Sequence, residues 1–594
     1  MKSTKSLSSL TIMAFLVVVT VGTAGGRIIY VDDNAPGKNN GSSWVDAYKY
    51  LQDALTAAQK GDEIRVAQGV YKADRDRFEP NGTGERESTF RLKSGVVLYG
   101  GFPAGGADMN ERDPNTHRTI LSGDLNGDDV KKPKAQDLPG EPNRGENSFH
   151  VVNGSGCDST AVLDGFQITG GQANGAGNMQ DIGGGLYIEQ GSPTIVGCNF
   201  VANVAATSGG AMYINNNSNP GIINCGLERN WAGSGGAAYS GANSYPVLDD
   251  CNFAGNGADS GAAIKSSTGG MHLTACTFSD NSANNVGGAM SSGGKMALLV
   301  GCRFIHNSAV GDGGAIWDGS SDLTMVNCLF VENDSSSGDS GGGVCALSVK
   351  MTLANCVFSE NSCRGFYGGG GVFTNSDDIT LTNCIFSGNL SRSEYSNGGG
   401  MNIWPSAGKA RITNCTFSGN RASSGGGIVS GISDRQATIR NCIFWGNRDS
   451  SGIGESAQIG GQADVKFSCV QGGWSKCKDA DCNNINADPL FVDPDGADNV
   501  LGTADDDLRL SCGSPCIDTG SNSEIPRDTL DLDDDGDVNE PTPVDADGKP
   551  RVILGMPCGS DGLTAKIDMG AYEYVGIPKT SSDYAEWLKV GCPC

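Results

Sequence analysis

Arg411-Ile412-Thr413-Asn414-Cys415-Thr416-Phe417 is the phrase on which the fold turns. Ile412 ends one strand pointing inward, Asn414 makes a sharp bend, and Cys415 and Phe417 point inward from the next strand, two residues apart as strand geometry requires. Asn, Asp and Gly tolerate the left-handed backbone that such a bend needs. A helix cannot be laid over this pattern.

The phrase recurs. Its cysteine returns as Cys198, Cys225, Cys251, Cys276, Cys302, Cys328, Cys356, Cys384, Cys415, Cys442 and Cys469, at intervals of 25 to 31 residues. Phe stands two residues on in nine of the eleven repeats, with Leu227 and Gln471 as the exceptions, and Asn stands five residues on from Asn203 to Asn447. Such a period identifies a repeat array. The repeats are too short for four-stranded propeller blades and lack the leucine spacing of horseshoe repeats. What remains is an all-β chain, a right-handed parallel β-helix solenoid with one turn per repeat.

Around the array the sequence divides in five. Residues 1–24 read as a secretory signal, with Lys2 and Lys5 before an apolar run from Leu10 to Val21, so the mature chain is expected to be secreted or held at the cell surface. Residues 25–145 hold an N-terminal cap and the first turns, with strands expected at Ile28 to Asp32, Glu63 to Ala67 and Gly95 to Tyr99, followed by one at Phe149 to Val152. An amphipathic helix from Ala47 to Gln59 is the expected cap of the first open edge. Residues 146–475 are the repeat array, 476–576 an Asp-rich C-terminal closure, and 577–594 a linker or truncated tail.

Among 594 residues, a formal net charge of −26 argues against nucleic acid as a partner, and no second apolar stretch is long enough to span a bilayer. The 21 cysteines of an exported chain raise the question of disulfides. Equivalent residues of adjacent turns lie about 4.8 Å apart with parallel side chains, whereas disulfides want Cβ atoms about 3.8 Å apart. Phe166 fills the cysteine slot one turn earlier, so the slot wants an apolar filler and the ladder cysteines are expected to be reduced and buried. Disulfides are expected instead at Cys477 with Cys482, Cys512 with Cys516, and Cys592 with Cys594.

The phrase Phe278 to Asn281 followed by Gly287-Gly288-Ala289-Met290 recurs in order over much of the array. It resembles the repeats of chlamydial polymorphic outer membrane proteins, which implies a surface adhesin. The Asp-rich end with Asp568-Met569-Gly570-Ala571-Tyr572-Glu573-Tyr574 resembles a C-terminal region of secreted bacterial β-helix proteins, and Tyr584 to Cys594 is similar to the lead-in of a dockerin-like module.

Two surfaces are candidates for function. If the apolar residue after each glycine phrase points inward, the next points outward, giving the column Tyr187, Tyr213, Tyr239, Lys265, Ser291, Trp317, Cys345, Phe373, Asn402 and Val429. Tyr187, Tyr213, Tyr239, Lys265, Trp317 and Phe373 are the expected ligand-binding residues, as a platform for sugar rings or protein contacts. The same rings could instead pair across strands and bind nothing. Asp531, Asp533, Asp535, Asp537 and Asn539 match the first half of a calcium loop, with Thr542 where a bidentate Glu would stand. Calcium is thus the one expected cofactor.

No catalytic residue stands out. Asp249-Asp250 and Asp377-Asp378 are the visible carboxylate pairs, and His272 and His306 sit apart from them in sequence. The leading expectation is an adhesion, binding or structural module whose partners are polysaccharides or surface proteins. The alternative is a polysaccharide lyase or glycoside hydrolase, which a cluster of carboxylates with Arg or Lys in a groove on the glycine-phrase face would favour.

Overall fold

The computed structural model describes residues 26–574, apart from 178, 321, 339, 405, 432–436, 478–480 and 553–564. The signal, the tail with its dockerin-like phrase, and the Cys592–Cys594 pair lie outside the described residues. Four parallel sheets run the length of a solenoid, with fifteen, fourteen, nine and thirteen strands in the order I, II, III and IV in which each turn visits them. In the turn around Cys302 these strands are Met296–Val300, Arg303–Ile305, Ser308–Ala309 and Ile316–Asp318.

Three left-handed bends make each turn close. The first precedes the cysteine, as at Asn327 (φ 54°) and Asn414 (φ 54°). The second precedes the ladder asparagine, as at His306 (φ 55°) and Glu332 (φ 53°), and the third is a glycine such as Gly287 (φ 66°). At Gly287 a Cβ would lie 2.1 Å from the Met290 carbonyl oxygen, and at Gly288 it would lie 2.0 Å from the Gly314 oxygen on the next turn. The glycine phrase is therefore set by crowding as well as by backbone angle.

Inside, the columns expected from the sequence are stacked in register. The ladder cysteines from Cys198 to Cys469 are buried free thiols, and typical Sγ–H groups donate to carbonyls one turn back, as Cys302 does to Leu273 at 3.6 Å. Phe253, Phe278, Phe304, Phe330, Phe358, Phe386, Phe417 and Phe444 stack with ring centroids 4.6 to 4.8 Å apart. Full burial of one such ring is worth about 1.5–3 kcal/mol.

The asparagine five residues after each cysteine has a role its position alone did not disclose. Asn307 is wholly buried, and its Nδ2 donates to the Phe278 carbonyl at 2.9 Å and to Asn333 Oδ1 at 3.0 Å. Its own Oδ1 accepts from the backbone N–H of Asn281 at 3.1 Å and from Asn281 Nδ2 at 2.9 Å. The same bonds repeat up the column to Asn447, whose Nδ2 donates to Gln458 Oε1 at 2.8 Å.

Beyond the array, three expectations change. The helix runs Leu51–Ala57, shorter than the 47–59 periodicity suggested, and buries Leu51, Ala54 and Leu55. Of the disulfides, Cys477–Cys482 is formed. Cys512 and Cys516 are not paired with each other: Cys516 keeps a buried free thiol beside Cys469, and Cys512 is bonded elsewhere.

The Asp-rich segment also differs from a simple end closure. Its apolar residues Phe491, Leu508, Leu510, Met569 and Ala571 pack with Ile385, Ile443 and Trp445, the outward residues of sheet II. Hydrogen bonds tie it there, as from Ala571 N–H to Thr416 Oγ1 at 3.0 Å and from Gly570 N–H to the Asn441 carbonyl at 2.8 Å. The chain has turned back along its own flank.

Candidate functional site

Tyr187, Tyr213 and Tyr239 stack as a column, but Tyr187 is nearly buried and Ser291, Cys345 and Asn402 of the same column are buried, so its geometry decides what it can do. Tyr187, Tyr213 and Tyr239 stack with centroids 5.9 and 5.2 Å apart and planes within 3° and 4°, and His150 extends the stack at 4.9 Å from Tyr187. Tyr187 hydroxyl donates to Glu189 Oε2 at 2.9 Å, and Tyr239 hydroxyl to Ser267 Oγ at 3.0 Å. Lys265 Nζ lies 5.6 Å from the Trp317 ring centre and donates to Ser291 Oγ. Each tyrosine face is turned toward its neighbour along the solenoid axis, so solvent meets ring edges. A sugar ring stacks on a face. Phe373 departs from the expectation outright: only 5% exposed, it lies under Tyr367 and Trp404 and meets no ligand from solvent. The longer repeats that hold Tyr367 and Trp404 carry loops that cover the column here.

Two cavities lie on another face, the outer surface of sheet II. At its N-terminal end a cavity of about 520 Å³ opens between the loop 123–148 and the strands Phe166–Thr169, Asn199–Val201 and Gly226–Glu228. Toward the C-terminal end a second cavity, of about 400 Å³, opens where Thr503, Asp506 and Tyr572 of the returning segment meet Ile305, Val331 and Ile385. Between them the outward positions of sheet II stay open to solvent at Asn252, Thr277 and Arg303. From Asn199 to Leu329 the trough spans five strand spacings, roughly 24 Å at about 4.8 Å each.

Charge in the first cavity runs against that of the chain. Arg118, Lys131 and Arg229 are exposed there and have no ion-pair partner among the described residues. Lys132 is paired with Glu141, and Arg144 is only 3% exposed. Arg144 is spent on structure: its guanidinium donates to Asp129 Oδ2 at 2.9 Å, Gln172 Oε1 at 2.9 Å and the carbonyls of Gly171 and Ala202. It pins the loop 123–148 onto the solenoid, leaving the other three cations to face the cavity.

Along the edge of the same trough, His306 stands between carboxylates of the turns on either side, 3.8 Å from Asp280 and 3.2 Å from Glu332. All three occupy the second bend of their turns, just before Asn281, Asn307 and Asn333. The column was present in the sequence as one position of the repeat. Arg118 and Lys131, by contrast, belong to non-repeating segments and carried no periodic signal.

The carboxylate pairs noted in the sequence are surface features. Asp378 forms an ion pair with Arg411 at 2.9 Å in which both partners are about half exposed. Asp249 has its carboxyl raised by burial and by Asp250, while burial lowers the neighbouring His272 imidazole and Asp249 only partly opposes that.

In the acidic loop, Asp531, Asp533 and Asp535 offer oxygens within 4.8 Å of one another, and so do Asp528, Asp533 and Glu540. Asp537 belongs to neither group, and its Oδ1 accepts the backbone N–H of Asn539. Thr542 does not complete a loop: it is 2% exposed and bonds the Pro526 carbonyl through N–H and hydroxyl. Asp528 and Glu540 supply the carboxylates that the linear spacing missed.

Parallel strands, one solenoid turn per repeat and inward ladders define a β-helix. The chain belongs to the family described as right-handed beta helix region, which matches residues 164–330 and 328–468, just over half of its length. No curated protein matches the chain. Among solved structures it is similar to pectate lyase Pel9A, at 14% identity over 93% of this chain and 98% of that one, with a TM-score of 0.28. It is also similar to a rhamnogalacturonan lyase, at 12% identity over 82% and 97%, with a TM-score of 0.27.

Proposed function

We propose that this chain is an exported or cell-surface binding module whose trough on sheet II takes an anionic polysaccharide. The observation that carries the reading is the first cavity: three cations without an ion-pair partner among the described residues face about 520 Å³ of space in a chain of net charge −26. That volume lies in the range of about 300–1,000 Å³ usual for ligand sites. A scattered surface lysine needs no explanation, but three cations around one concavity in an acidic protein select for negative charge. The trough runs on beyond the cavity, which suits an extended polymer. An adhesive role, which the polymorphic outer membrane protein resemblance implies, is compatible with such binding. Calcium at Asp531, Asp533 and Asp535, with Asp528 and Glu540, belongs to the same reading as a structural ion of the returning segment.

The test is binding of polygalacturonate, alginate and a neutral glucan to wild type and to Arg118→Gln with Arg229→Gln, at low and at moderate salt. Anionic polymers are expected to bind and the neutral one not, with affinity falling in salt and in the double variant by tenfold or more, about 1.4 kcal/mol. Equal binding by the variant would sink the reading.

One observation favours the lyase alternative: Asp129, which lines the first cavity with the cations, clusters with Asp124 and Glu146. That is the arrangement expected of an enzyme, though on sheet II and not on the glycine-phrase face. Release of unsaturated chain ends during the binding assay distinguishes it.

A further inference from the structure

We infer that the loop 123–148 is built to hold a divalent cation of calcium's size, at a site formed by Asp124, Asp129, Glu146 and the side-chain carbonyl of Asn147. Each of the three carboxylates offers an oxygen, and the three oxygens lie within 4.8 Å of one another. Calcium takes oxygen ligands at about 2.3–2.6 Å, so opposite ligands stand about 4.6–5.2 Å apart, whereas magnesium at about 2.0–2.1 Å needs a tighter set. Carboxylate and amide oxygens are the donors a hard cation selects.

A separate observation points the same way. Asn147 is wholly buried; its Nδ2 donates to Asp129 Oδ2 at 2.9 Å, which fixes its amide head at the cluster, and its Oδ1 has no donor. Asp129 Oδ1 and Glu146 Oε1 are likewise buried and lack hydrogen-bond partners. A buried oxygen without a donor costs about 1–3 kcal/mol, so three of them on Asp129, Glu146 and Asn147 are unfavourable unless something positive meets them. Arg144 meets only Asp129 Oδ2, and Lys72 Nζ is turned to the Leu125 carbonyl at 3.0 Å. The oxygens left over are those that a cation would satisfy.

The consequence reaches the groove. Asp129, Lys131, Lys132 and Arg144 stand on one loop that walls the first cavity, so an ion at its base orders the wall that presents the cations. The cation site itself does not depend on what the groove binds.

Calorimetric titration of the calcium-stripped full chain with calcium chloride and magnesium chloride tests the inference. Wild type is compared with Asp129→Asn, with Glu146→Gln, and with Asp533→Asn to separate the C-terminal acidic loop. Circular dichroism in chelator establishes that each variant is folded. Calcium is expected to bind wild type more tightly than magnesium does. One calcium event should be lost, or weakened by about tenfold or more, in both N-terminal variants and retained in Asp533→Asn. No calcium binding by wild type, or an unchanged isotherm in folded Asp129→Asn and Glu146→Gln, would overturn it. No polysaccharide enters the assay, so its outcome is independent of the binding test on Arg118 and Arg229.

Discussion

Replacing Asn307 by alanine removes one rung from the middle of the asparagine ladder and touches nothing on the surface. Four hydrogen bonds go with it: two that its Nδ2 donates, to Phe278 and Asn333, and two that its Oδ1 accepts from Asn281. At a net value of about 1 kcal/mol each, the loss is about 4 kcal/mol, and the buried N–H of Asn281 left without its acceptor adds to it. Because each turn of a solenoid contacts only its neighbours, the damage is local and appears first as early opening of the turns around residues 281–333. Urea unfolding followed by circular dichroism measures the loss, and hydrogen exchange at the Asn281 amide reports its place. A loss under about 1 kcal/mol together with unchanged exchange at Asn281 would refute the ladder as a source of stability.

Other measurements follow from the same interior. Phe330 stacks 4.7 Å from both Phe304 and Phe358, so Phe330→Ala is expected to cost about 3–5 kcal/mol in denaturant unfolding, while Phe330→Leu costs less because it fills part of the space. Asp318 is wholly buried; it accepts from Ser320 Oγ at 3.0 Å through one oxygen and lacks a partner for the other, and burial pushes its carboxyl up to about 6 from 3.8. The raised value means that the proton favours the folded state. Stability is therefore full below about pH 4 and falls by about 3 kcal/mol as pH rises through 6, and Asp318→Asn should flatten that slope in unfolding measured from pH 4 to 8. Burial also pushes the Cys198 thiol up to about 12. All the ladder cysteines are buried, so thiol reagents should leave them untouched in the native chain and label them in denaturant, and fast native labelling would contradict the packing.

The repeat was legible because its positions are set by the backbone. A bend that needs a left-handed residue, followed by two inward side chains two apart, leaves the same mark in every turn, and Cys415 with Phe417 announced it. The second bend left as clear a mark, yet Asn307 gave no hint that its amide faced inward until the turns were stacked. The geometry of the aromatic column was hidden for a different reason. Alternation shows that Tyr213 points outward, but not that its ring would lie flat against Tyr187 and Tyr239, because ring orientation follows from a stacking distance that one chain segment does not contain. Phe373 was lost to Tyr367 and Trp404, which come from loops whose length varies between repeats. The groove was harder still. Arg118, Lys131 and Arg229 come from three segments, of which only the last lies in the array, and the far wall comes from residues far along the chain from the strands that it faces.

Gln458 gives the asparagine ladder a terminus of its own. Its Oε1 receives the last Nδ2, from Asn447, and its Nε2 turns back to the Asn447 and Ile453 carbonyls, while at the other end Asn203 Oδ1 accepts the Gly171 N–H at 3.0 Å. The column behaves as a polymer with end groups. A whole repeat inserted between Asn281 and Asn307 would find a donor waiting below and an acceptor above, and every amide would still be paired. A repeat added after Asn447 would first have to displace the stopper. Growth and loss of turns are thus cheap inside the array and expensive at its ends, so the number of turns is free to vary while both flanking segments stay the same.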